Sequence, residues 1–103
     1  MTFIPIREYR DFWDIPRIFL VRNTDSILFL FDCKFDQEKE DYQDTFHIYK
    51  MPEIRDSELS GPWADLSKRA SQFIGVVKIS EVTFDKTHRQ FVDDEIISEA
   101  AKI

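Results

Sequence analysis

The chain has 103 residues, 43% of them hydrophobic, and a formal net charge of −6 at pH 7. This length suits one hydrophobic core, so we expect a single domain over residues 1–103. Fifteen aromatic side chains provide enough apolar bulk for that core and exclude disorder as the reason for the charge. Nucleic acid is disfavoured as a partner, because phosphate backbones are bound by Lys and Arg.

The amino-terminal segment predicts a short first strand over residues 3–6. Pro5 favours an edge position there, because proline cannot donate a ladder hydrogen bond. Charged residues at positions 7, 8, 10 and 11 interrupt the apolar run that an export signal requires, so we expect none. Phe12 and Trp13 follow with charges on both sides, and we predict that this aromatic pair is partly exposed as a contact surface.

Residues 16–35 predict a β-hairpin, since apolar runs at 18–21 and 27–31 flank the turn-forming sequence Asn-Thr-Asp-Ser at 23–26. The period of two in the second run indicates a central strand, buried on both faces at its start and on one face at its end. The side chains predicted to share one face are Ile27, Phe29, Phe31, Cys33 and Phe35.

Residues 36–44 contain no hydrophobic residue except Tyr42, and we interpret this segment as an exposed loop. Residues 45–51 predict a third strand. Its period places Phe46 and Ile48 on one face and His47 and Tyr49 on the other.

The remaining elements complete a fold of the α+β class. An amphipathic helix is predicted over residues 62–72, with Trp63 anchoring it to the sheet, and a further strand over residues 74–84. A turn within 84–91 and a short carboxyl-terminal helix over 93–103, capped by acidic residues, follow. We therefore expect an antiparallel, strand-rich sheet of about five strands with one packed amphipathic helix. The longest uncharged stretch has eight residues, 70–77, which is too short to cross a membrane.

Residues capable of metal or nucleophilic chemistry are few. A calcium loop counted from Asp32 fails, because Lys34 occupies the third position and Gln37 the sixth. Cys33 is the only cysteine, which excludes an internal disulfide and is typical of a reducing cytoplasm. Its apolar neighbours predict a buried side chain rather than a nucleophile paired with His47. We expect no metal and no cofactor.

The acidic segment is the leading candidate for a binding surface, with five carboxylates against one lysine and a local charge of −4. A solvated loop would have the same composition. The predicted contact residues in this segment are Asp36, Glu38, Glu40, Asp41, Tyr42 and Asp44.

The leading hypothesis is a small, soluble, non-catalytic binding domain of the cytoplasm whose partner is another protein, for example one with a basic surface. Its composition is typical of proteins that act by binding, such as immunity proteins, antitoxins and regulators. One alternative is a small hydrolase that uses Asp32 or Asp93 with His47. The other is a homo-oligomeric structural protein.

Overall fold

The fold is built on antiparallel strands. The computed structural model describes residues 3–13, 15–61, 63, 66–85 and 91–101, without the side chains of residues 11–13. The strands are β1 (Phe3–Trp13), β2 (Ile15–Arg22), β3 (Leu28–Asp32), β4 (Phe35–Asp36), β5 (Asp41–Tyr42), β6 (Thr45–Met51), β7 (Gln72–Lys78) and β8 (Phe91–Asp93). A helix, α1, spans Glu95–Ala100, and 3-10 helices span Asp56–Leu59, Leu66–Arg69 and Ile79–Glu81.

Six of the strands form one curled sheet in the order β7-β6-β3-β2-β1-β8, while β4 and β5 form a separate pair. The predicted hairpin is confirmed, because β2 and β3 pair in antiparallel register from Ile18 with Asp32 to Arg22 with Leu28. Asn23 sets the turn, since its Oδ1 accepts hydrogen bonds from the backbone of residues 25 and 27 at 3.0 and 2.9 Å.

Both faces of the sheet are covered, which explains why β3 is buried along its whole length. On the first face, α1 packs over the strands. On the second face, the covering segment consists of the described residues 52–61, 63 and 66–70, and Trp63 is buried there as predicted. Buried side chains of the first face include Phe19, Phe29, Phe31, Phe46 and Ile48, and those of the second include Leu20, Leu28, Leu30, Met51 and Leu66.

Arginines of β1 hold the covering segment in place. The Arg7 guanidinium donates a 2.8 Å hydrogen bond to the carbonyl of Ile54. Arg10 donates to the carbonyl of Leu59 and lies 4.8 Å from the Trp63 ring centre. Because these bonds satisfy the carbonyls of Ile54 and Leu59, residues 54–59 can stay close to the sheet without forming an α-helix.

The prediction of a helix over residues 62–72 is wrong for the part that the structure describes. A 3-10 helix occupies Leu66–Arg69, and β7 begins at Gln72. The Ser71 amide already donates to the carbonyl of Lys50, which starts the ladder with β6. Pairing with β6 therefore takes the residues that the last helical turn would need.

Other expectations hold only in part. The structure has six strands in its main sheet rather than about five, because β1 extends to Trp13 and the short β8 pairs with its start. Pro5 is therefore not on an edge strand, although it precedes the ladder with β2, which begins at Ile6. The final helix is shorter than predicted, and the predicted turn at residues 86–89 lies outside the described residues.

In the described part of the chain, no helix is long and apolar enough to span a membrane.

Candidate functional site

Residues 35–44 form an acidic hairpin, in which β4 and β5 pair through Phe35 with Tyr42 and through Asp36 with Asp41. The expected loop is exposed, as predicted, except for the half-buried Asp36 and Tyr42, and it carries its own backbone ladder. The hairpin lies between β3 and β6 in the chain and outside the main sheet.

Asp36 orders the tip of the acidic hairpin. Its Oδ1 accepts hydrogen bonds from the backbone amides of Glu38 at 3.0 Å and Lys39 at 3.4 Å. Glu40 completes the reversal with a φ of 54°, in the left-handed region. The carboxylate of Asp36 therefore stabilises the turn, whereas the residues at positions 38, 40 and 41 are exposed.

An aromatic pair, Phe35 and Tyr42, lies at the base of the acidic hairpin. Phe35 is 52% exposed, and its ring contacts Tyr42 edge to face, with centroids 5.2 Å apart. On β2, the Arg17 guanidinium lies 5.1 Å from the centre of the Tyr42 ring. The hairpin thus presents an exposed aromatic ring at its base, on the ladder face opposite Asp36 and Asp41, while Tyr42 ties it to the sheet.

Hydrogen bonds close the base of the hairpin and attach its second arm to the body of the protein. The Gln43 amide donates to the carbonyl of Lys34 at 2.8 Å, and the Cys33 thiol donates to the carbonyl of Gln43 at 3.1 Å. The Ile79 amide donates to the carbonyl of Asp44 at 2.8 Å. Burial raises the pKa of the Cys33 thiol, so the sulfur remains a protonated donor at neutral pH.

A cleft of about 490 Å³ separates the acidic hairpin from the end of β7. Asp41 and Asp44 line one part of it, and Arg17 and Lys78 line another. Its size falls within the range of small-ligand pockets. Two acids and two bases line this cleft. The remaining charge of the hairpin comes from three acids, at positions 36, 38 and 40, and Lys39, a net of −2.

A second polar cluster lies on the second face of the sheet, where Asp32 pairs in register with His47. Asp32 is buried, and its Oδ2 accepts a 3.0 Å hydrogen bond from Lys34 Nζ. Burial opposes the charge on Lys34, but the hydrogen bond and attraction of Asp32 outweigh it and raise the pKa of Lys34. Within the described residues, no hydrogen-bond partner reaches the buried Nδ1 of His47.

The structure therefore brings together only some of the residues on which the hydrolase hypothesis depends. Asp32 faces His47, but Asp93 lies on β8, which three strands separate from β6 in the sheet. Asp93 instead accepts a hydrogen bond from the amide of Glu95 at the start of α1. Cys33 belongs to the core of the first face, opposite His47, so the geometry does not join them as nucleophile and base. Hydrolysis stays a prediction.

His47 yields a prediction about pH. Burial lowers the pKa of His47 from its ordinary 6.5, the charge of Lys34 lowers it further, and Asp32 opposes both. As the pH falls through 6.5, the unfolded chain takes up a proton that the folded protein resists, so the free energy of unfolding decreases. This loss is complete once the pH is below the folded pKa.

We expect His47→Gln to flatten the pH dependence of stability, measured by urea unfolding at steps between about pH 8 and pH 5. All other residues are the same in the two proteins, so the difference between the two curves isolates His47. Parallel curves over this range would contradict the assignment.

The predicted site residues of the acidic segment are brought together in one hairpin, but the side chains of Phe12 and Trp13 lie outside the described residues. Sequence reasoning missed Arg17 and assigned Phe35 to a buried strand face. For Phe35, the adjoining acidic run was an available signal of exposure. In the described part of the chain, no group of three or more His, Cys, Asp or Glu residues could hold a metal ion.

Comparisons with protein-family models, curated proteins and solved structures found no match for this chain.

Proposed function

We propose that this chain is a non-catalytic protein-binding domain that receives a basic surface of a partner protein on its acidic hairpin. The observation that carries the proposal is the exposed Phe35 ring at the base of the acidic hairpin, in contact with Tyr42, which Arg17 supports. Aromatic side chains supply most of the binding energy at many interfaces, while surrounding charges select the partner and accelerate the encounter.

The rigidity of the hairpin supports this proposal over a simple solvated loop. Asp36 fixes the tip, the bond between Gln43 and Lys34 closes the base, and the bond between Asp44 and Ile79 holds the second arm. A surface that is ordered before binding loses less conformational entropy when a partner docks. Carboxylates without a role in the turn, at positions 38 and 40, remain available to Lys and Arg of the partner.

The proposed setting is the cytoplasm, where the single cysteine remains a thiol. The proposed partners are proteins with a basic face, the kind that immunity proteins and antitoxins cap. The same surface would also serve a regulatory domain, and the identity of the captured protein separates these roles.

The test is capture of partners from an extract of the source cell by immobilised wild-type protein and by Glu38→Lys/Glu40→Lys. We expect the double variant to retain the partner about tenfold less well, because two attractive charges become repulsive. The wild-type complex should also weaken as salt rises. Phe35→Ala should cause a similar loss that depends less on salt, because it removes the aromatic contact.

The matched control is Asp25→Lys/Glu99→Lys, two exposed positions on the β2–β3 turn and on α1. Each exchange of an acid for lysine changes the charge by two, so both double variants carry −2 instead of −6. The control should retain the partner. If both double variants lost the partner equally, the effect would be due to net charge. If both retained the partner, the hairpin would not be the contact surface.

A further inference from the structure

The cleft between the acidic hairpin and the end of β7 brings together both signs of charge. Its two acids, Asp41 and Asp44, belong to the hairpin, whereas its two bases belong to the main sheet. Arg17 lies on β2, and Lys78 is the last residue of β7. Because opposite charges attract, four such groups around one cleft would be expected to close it by direct pairing.

Asp44 and Lys78 nevertheless do not pair. Within the part of the chain that the structure describes, neither side chain forms an ion pair or a hydrogen bond. The Ile79 amide donates to the carbonyl of Asp44 at 2.8 Å, and Lys78 pairs in register with Thr45. Because neighbouring residues of a ladder point to opposite faces, this register starts the two side chains on opposite faces, although both residues border the cleft. The backbone therefore holds a carboxylate and an ammonium group beside one cleft without letting them neutralise each other.

Apolar surface lines the same cleft. Tyr42 and Ile79 border it, and both pack against the core of the first face. The Arg17 guanidinium lies 5.1 Å from the centre of the Tyr42 ring, so one of the two bases is held against the aromatic wall. The volume of about 490 Å³ exceeds what a few water molecules need and suits a small ligand. The cleft thus combines separated charges of both signs with an apolar wall.

We infer that this cleft binds a free α-amino acid with an apolar side chain, whose carboxylate faces Lys78 and whose ammonium group faces Asp44. Each of these groups gains a charge-assisted hydrogen bond. Arg17 and Asp41 add charge of the matching sign, and the side chain of the ligand packs on Tyr42. A ligand with a single charge fits less well, because an anion such as phosphate would approach two carboxylates and a cation would approach two bases.

The test titrates L-alanine, L-leucine and L-phenylalanine separately into the isotope-labelled protein at neutral pH and follows the backbone amides by NMR. We expect shifts concentrated in residues 41–44 and 78–80. The N-acetyl derivative of the tightest of the three lacks the ammonium group, and its carboxamide lacks the carboxylate. Each derivative should bind at least about tenfold more weakly, because one charge-assisted hydrogen bond is lost. The N-acetyl derivative also represents the carboxyl terminus of a peptide, so it separates a free amino acid from a chain end.

Variants at two exposed positions of the cleft assign each contact. Lys78→Met should weaken the amino acid by about tenfold but leave its carboxamide unaffected, because the carboxamide has no carboxylate for the lysine. Asp44→Asn should weaken the amino acid similarly but leave the N-acetyl derivative unaffected. Lys39→Met and Asp25→Asn are the matched controls, since they make the same charge changes at exposed positions outside the cleft, and both should bind the amino acid normally.

The hairpin variant Glu38→Lys/Glu40→Lys should also bind the amino acid normally, which separates this inference from the proposed function. The absence of shifts with all three amino acids at about 10 mM, or shifts confined to residues away from the cleft, would overturn the inference. Equal binding of the N-acetyl derivative would assign the cleft to a chain end and would overturn it as well. So would unchanged affinity for the amino acid in either Lys78→Met or Asp44→Asn.

Discussion

Replacement of Phe19 by alanine is expected to lower the free energy of unfolding by about 3–5 kcal/mol. Phe19 has no solvent exposure and stacks on Phe31 with ring centroids 4.7 Å apart. It also meets Phe46 and Phe84 edge to face, at 5.5 and 5.7 Å. The substitution would remove the shared ring of this cluster, and the surrounding strands could fill the cavity only in part.

The measurement is urea unfolding followed by circular dichroism. Because a domain of this size has a total stability of about 5–15 kcal/mol, Phe19→Ala could leave little folded protein. Phe19→Leu, which keeps more of the volume, then gives a measurable, smaller loss. Phe35→Ala is the matched control, since its ring is 52% exposed, and it should change stability by less than about 1 kcal/mol. A similarly small loss for Phe19→Ala would contradict the described core.

The strands at the centre of the sheet could be predicted because their sequence pattern and their tertiary environment agree. In β6, Phe46 and Ile48 alternate with His47 and Tyr49, and the structure buries the first pair and leaves the second partly exposed. The bounds of this strand match the prediction. The turn at Asn23 was equally predictable, because its side chain supplies the hydrogen bonds that reverse the chain.

The incorrect prediction of a helix over residues 62–72 could not be avoided from local sequence alone. Trp63 and Leu66 do bury themselves in the second core, as their spacing suggests. The helix fails because residues 72–78 pair with β6, a contact that brings together positions far apart in the chain. Such long-range pairing overrides helix propensity, which is a weak preference for each residue.

The sequence predicted the charge of the candidate site but not its backbone structure. The acidic run over residues 36–44 located the surface, yet nothing local indicated that Asp36 would fix a hairpin within it. Arg17 contacts Tyr42, although it lies 25 positions earlier in the sequence. This contact could not be predicted without the three-dimensional fold. Phe35 continued the period of β3 and was therefore predicted to be buried, but the chain leaves the sheet after Asp32.

Gly75 provides the second large expected effect, because α1 approaches its backbone closely. A Cβ at this position would lie 2.5 Å from the carbonyl oxygen of Ala100 and 3.2 Å from its carbonyl carbon. The φ of Gly75 is not positive, so conformation alone would favour alanine by about 0.4–1 kcal/mol. We expect the clash to reverse this sign, and Gly75→Ala to lower the free energy of unfolding by about 1–3 kcal/mol.

Gly61→Ala is the matched control, since a Cβ there meets no atom within 4 Å, and its effect should stay within about 0.5 kcal/mol. Hydrogen exchange shows where Gly75→Ala acts. Because α1 has six residues, it depends on packing rather than on its own propensity, so its amides should exchange faster when the new methyl group displaces it. Unchanged exchange in α1 together with unchanged stability would mean that the helix does not pack against β7 as described. Faster exchange confined to α1 would show instead that this contact holds the helix over the first face of the sheet.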